Sequence, residues 1–163
     1  MIARDAGSNV VPNAQIVLDF RDCSDVRVCR DQPLGAIADC ASRTVRKFTN
    51  GGGQATFIVW GAGLNRGAEP GAGPDCLAIY GDGVLLSRAT VNVWDQNGAM
   101  AGGLPGVEVT DLSAWLRDFG TGAYFGRSDY DLDGTLGVAD FQRLIEVFGT
   151  GASSEGCTSP CLE

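Results

Sequence analysis

Histidine is absent from the 163 residues. Without it there is no Ser-His-Asp or Cys-His nucleophilic site, no imidazole general base and no histidine-ligated zinc. Ser42, Ser87 and Ser113 therefore have no activating base, and catalysis is the function class with least support. No Cys-x-x-Cys pair occurs, which removes the usual spacing of a cysteine-only zinc site. No run approaches the roughly 18 apolar residues of a membrane span, so membrane insertion is not expected. Sequons for N-glycosylation are also missing. The start, Met1-Ile2-Ala3-Arg4-Asp5, does not read as a signal peptide, so an exported protein would be seen here in processed or partial form.

Positive charge is scarce, with 12 Lys/Arg against 20 Asp/Glu and a formal net charge of -8. Such a chain repels polyanions, and nucleic acid is excluded as a partner. The imbalance is local. Residues 1–90 carry nine basic and nine acidic side chains, whereas residues 91–163 carry three and eleven. The six cysteines, Cys23, Cys29, Cys40, Cys76, Cys157 and Cys161, point to disulfides and an oxidising compartment. Six cysteines allow 15 pairings, among which the expectation is Cys23–Cys29, Cys157–Cys161 and Cys40–Cys76.

The first ninety-odd residues carry strand patterns. Ile16, Leu18 and Phe20 alternate onto one face of Gln15–Phe20. Gln54–Trp60 and Ala89–Trp94 are rich in β-branched and aromatic residues. Leu77–Tyr80 and Val84–Leu86 flank Gly81-Asp82-Gly83, a hairpin signal. Turn clusters separate these runs, and the whole predicts an antiparallel sandwich. Val11-Pro12-Asn13-Ala14-Gln15-Ile16 and Thr49-Asn50-Gly51-Gly52-Gly53-Gln54-Ala55-Thr56-Phe57 resemble the strand-entry and mid-domain turn patterns of bacterial Ig-like domains of surface proteins. The stretch Cys23 to Cys40 is not part of that pattern.

After Trp94 the period becomes helical. Leu112, Trp115, Leu116 and Phe119 fall at i, i+3, i+4 and i+7, and Phe141, Leu144, Ile145 and Phe148 repeat them 29 residues later. Both copies end Phe-Gly-Thr-Gly, so this is an internal repeat. Each helix is too short to stand alone, and the two stripes are expected to bury against each other or the sandwich.

Ahead of the second helix, Asp129, Asp131, Asp133 and Asp140 take places one, three, five and twelve of a twelve-residue loop. Gly134 takes the sixth, and the Thr135 carbonyl supplies the seventh-place ligand. Calcium needs six to eight hard oxygens, and alternate residues of a tight loop aim theirs inward. The competing reading is a solvated acidic turn. In the first copy Asp111 aligns with Asp140 and Val107 with Leu136, and Asp95-Gln96-Asn97-Gly98 supplies an upstream ligand run. Asp95, Asn97 and Asp111 are thus expected to hold a second calcium in a loop five residues longer, against the alternative of a degenerate copy kept only for helix pairing.

Residues 95–151 resemble the dockerin type I module, whose halves each join an Asp-x-(Asp/Asn)-x-Asp-Gly loop to one helix. Asp129, Asp131, Asp133, Gly134 and Asp140 match residue by residue, and the first copy departs from the pattern. The expected fold is mainly β with a small α part. It comprises an Ig-like antiparallel β-sandwich (1–94), a dockerin-like, EF-hand-type loop–helix pair (95–151) and a Cys-containing tail (152–163). The expected function is a non-catalytic, Ca2+-binding structural subunit of an extracellular or bacterial cell-surface assembly. It would pair with copies of itself or another surface protein, with Met1–Val10 as a candidate donor strand. The alternative is an attachment module that docks onto a cohesin-like receptor.

Overall fold

The computed structural model describes residues 1–64, 73–96, 107–148 and 161. Five strands form one antiparallel sheet in the order β3-β4-β1-β6-β7. They are β1 (Gln15–Asp19), β3 (Ile37–Asp39), β4 (Thr44–Phe48), β6 (Leu77–Gly81) and β7 (Val84–Ala89). A second, two-stranded sheet pairs β2 (Val26–Val28) with β5 (Gly61–Gly63). The alternation in β1 is realised, since Ile16, Leu18 and Phe20 are all buried. The β6–β7 hairpin turns at Asp82 and Gly83, both at positive φ (47° and 82°), the pairing that a tight two-residue hairpin favours.

The two sequence patterns that resemble Ig-like domains lie side by side. The Thr49 hydroxyl accepts the Ala14 N–H at 2.9 Å and donates to the Val11 carbonyl at 2.8 Å. Met1–Val10 is engaged within its own chain, through bridges Ile2 to Gln54 and Arg4 to Val10. Two expected strands are not formed as ladders. At the end of residues 55–60, Gln32 stands in for a strand neighbour: its amide accepts the Trp60 N–H at 3.0 Å and donates to the Trp60 carbonyl at 2.9 Å. Residues 90–94 run as irregular chain, with the Val93 N–H bonded to the Arg127 carbonyl. Phe57, Val59, Val91 and Val93 still pack on the core, so the apolar signal reported burial rather than strand pairing.

Every expected disulfide is corrected. Cys23 pairs with Cys76 and Cys40 with Cys161, and Cys29 is also oxidised. The sheet core brings these residues together: Cys23, Cys76 and Cys161 all lie in the cluster formed by Leu18, Phe20, Val26, Val28 and Val45. Short sequence separation was therefore a poor guide. The Cys161 N–H bonds to the Val28 carbonyl at 3.1 Å, returning the end of the chain to the sheets.

Two helices follow, α1 (Val109–Thr121) and α2 (Val138–Val147). Trp115 and Leu144, at equivalent places in the repeat, are buried with Val107 and Tyr130. The apolar stripes are buried only in part: Leu116 and Ile145, also equivalent, are 51% and 44% exposed. The buried face of α1 is narrower than its apolar stripe, because Ala114 and Asp118 take part of it.

Candidate metal centre

Asp129 follows a short 3-10 turn at Gly126–Ser128, and Asp140 lies in the first turn of α2. Between them the loop folds on its own carboxylates. The Gly134 N–H donates to Asp129 Oδ2 at 3.0 Å, and Gly134 sits at φ 87°, a left-handed conformation that glycine adopts at no steric cost. Asp131 Oδ1 accepts the Asp133 N–H at 3.1 Å. Asp133 Oδ1 accepts both the N–H and the hydroxyl of Thr135, each at 2.8 Å.

These turns gather one oxygen each from Asp129, Asp131 and Asp133 to within 4.8 Å of one another. Oxygens around a calcium ion at about 2.3–2.6 Å lie up to roughly 5 Å apart, so the spacing fits a hard divalent cation. Asp129 is 0% exposed. Its Oδ2 accepts the Tyr124 hydroxyl at 2.8 Å as well as Gly134, while its Oδ1 is buried without a hydrogen-bond partner. An ionised oxygen buried without a partner is costly, and a cation resolves it. The Asp131 carboxyl is held above its ordinary range, by desolvation first and then by the charges of Asp140, Asp133 and Asp129. The Tyr124 hydroxyl is likewise pushed up, by burial and then by its bond to Asp129.

Asp140 does not join the three-carboxylate group. It clasps the loop from behind: Oδ1 accepts the Tyr130 and Asp131 N–H groups at 2.7 and 3.1 Å, and Oδ2 accepts the Gly137 N–H at 2.8 Å. Asp111 does the same in the first copy. Its Oδ1 accepts the Gln96 N–H at 2.7 Å and its Oδ2 the Glu108 N–H at 2.9 Å. Gln96 follows Asp95 as Tyr130 follows Asp129, and Glu108 precedes α1 as Gly137 precedes α2. The hydrogen bonds thus align Asp95 with Asp129 in spite of the longer first loop. Asp95 is half-buried, its carbonyl accepting the Gly63 N–H at 2.9 Å. Asn97 lies outside the described residues.

The two copies meet through their second-place side chains. Gln96 Nε2 donates to the Tyr130 hydroxyl at 2.9 Å and to Ser128 Oγ at 2.7 Å, and Trp94 stacks on Tyr130 with ring centroids 4.3 Å apart. Beneath them, Asp118 holds Arg127 through Nε and Nη2 at 2.8 and 2.7 Å, and also accepts Ser128 Oγ at 2.7 Å. Burial works to lower the basicity of Arg127, but the Asp118 pair outweighs it and holds the guanidinium charged. Arg127 Nη1 reaches the Leu64 carbonyl at 3.0 Å, tying the loop region to the sheets. None of Tyr124, Asp118, Arg127 or Gln96 was singled out by loop spacing. The signal for Arg127 was scarcity, since it is one of only three basic residues in the acidic part of the chain.

No known protein-family pattern, curated protein or solved structure matches this chain.

Proposed function

We propose that the chain is a non-catalytic, calcium-binding structural subunit of an extracellular or cell-surface assembly. The observation that carries the metal assignment is Asp129 Oδ1, buried and unpartnered beside the carboxylates of Asp131 and Asp133. The oxidised cysteines support an oxidising compartment. The shared clasp of Asp111 and Asp140 supports the equivalence of the two loops and so the resemblance to dockerin-type repeats, and on that equivalence alone a second cation is proposed in the first loop. The adjacency of Thr49 to Val11 and Ala14 is consistent with the Ig-like reading of the sheet region.

Calorimetric titration of chelator-treated protein with calcium tests this reading. Binding is expected, and Asp129→Asn is expected to abolish it at the second loop. A flat titration of folded protein overturns the assignment; a single site per chain removes the first-loop cation alone. The exposure of Leu116 and Ile145 at equivalent places favours the alternative, a docking face on the helix pair. Calcium-dependent capture of a cohesin-like receptor by a protein that does not self-associate would put that alternative ahead.

A further inference from the structure

The five-stranded sheet buries one face, that of Leu18, Val45 and Ile79; the other face is open toward its edges, with Asp19 and Ala78 shielded in its middle at 6% and 3% exposure. The strand register arranges that outer face in rows. One row runs Ile37, Arg46, Val17, Tyr80, Leu85 across all five strands. The next runs Asp39, Thr44, Asp19, Ala78, Arg88. Both row ends are open: Ile37 is 52% and Leu85 49% exposed, and Asp39, Arg46 and Arg88 are exposed as well.

We propose that this face packs against the same face of a second copy, about a two-fold axis running close to the direction of β1. The rows are self-complementary under that operation. Ile37 meets the second copy's Leu85, Arg46 lies over the ring of its Tyr80, and Val17 meets Val17 at the centre. In the next row Asp39 meets the second copy's Arg88. Asp39 thus faces a base and Arg46 an aromatic ring, with Arg88 also bonded to Asp22 of its own copy at 3.2 Å. The one like-charge meeting, Asp19 with Asp19, is neutralised within each copy, since Arg21 Nε and Nη2 hold the Asp19 carboxylate at 3.0 and 2.6 Å.

The area is adequate. Five strands about 4.8 Å apart, three to six residues long and rising roughly 3.3 Å per residue, give a face about 24 by 16 Å on average. With its side-chain relief on both copies that buries on the order of 1,000 Å², the lower bound of a specific interface. Sheets packed this way cross at about 30°, which a slight tilt of the axis from β1 supplies. The inference rests on the structural-subunit reading and names the surface through which a copy is met.

Sedimentation equilibrium of the full chain in calcium buffer tests it. The wild type is expected to dimerise, and I37K and L85D are each expected to weaken association by at least about tenfold. The combination I37K/L85D sets each new base against a new acid across the axis, and is expected to recover most of the affinity. Both positions are exposed, so unchanged near-ultraviolet dichroism separates this from misfolding. A monomer at all concentrations overturns the proposal, whereas calcium binding by that monomer leaves the metal assignment standing. Self-association indifferent to both substitutions also overturns this face, while the structural-subunit reading survives. Failure of the double variant to recover overturns the two-fold arrangement.

Discussion

Arg127 is only 2% exposed, and its position between Asp118 and the Leu64 carbonyl makes it the bolt between the acidic loops and the sheets. Removing one member of a buried pair strands the other, so Arg127→Met is expected to cost about 3–5 kcal/mol in denaturant unfolding with calcium present. Replacing both, as Arg127→Met with Asp118→Leu, is expected to recover most of that loss, because no buried charge is then left alone. Asp129, Asp131 and Asp133 were legible from spacing, since a liganding loop must present acids at alternate places. Asp118 was not: one acid inside a helix carries no periodic signature, and only its fold partner gives it meaning. Asp140 was legible as a loop residue, but its clasp on the Tyr130 and Gly137 N–H groups depends on a backbone path that spacing alone leaves open.

At the scale of the element, hydrophobic patterning located buried segments better than it located ladders. Gln54–Trp60 reads as a strand because Phe57 and Val59 face the core, yet the Gln32 side chain takes the hydrogen bonds at its end. Gln32→Ala is expected to leave the Trp60 N–H and carbonyl without those partners and to cost about 1–3 kcal/mol, measurable as a lower midpoint in urea. The strands β3 and β4 carry little sequence signal, because β3 is three residues long, and Arg46 and Lys47 interrupt the apolar alternation of β4. Both helices were legible, as was their equivalence. Their burial was overstated, because a period of 3.6 fixes which residues share a face but not how much of that face a neighbour covers.

At the scale of the whole molecule, the acidic repeats and the sheets are one structure. The Gly63 N–H to the Asp95 carbonyl, the Val93 N–H to the Arg127 carbonyl and the Asn92 amide to the Asp129 carbonyl all cross between them. A boundary drawn after residue 94 marks a change of sequence period, and these bonds run straight across it. No described helix is long and apolar enough to cross a membrane. Cys40–Cys161 spans 121 residues and encloses both loop–helix copies within a covalent ring. A protease that nicks the backbone once anywhere in that ring therefore releases nothing. The two pieces stay joined as one particle on a non-reducing gel, and they separate only when a thiol reductant opens the bond.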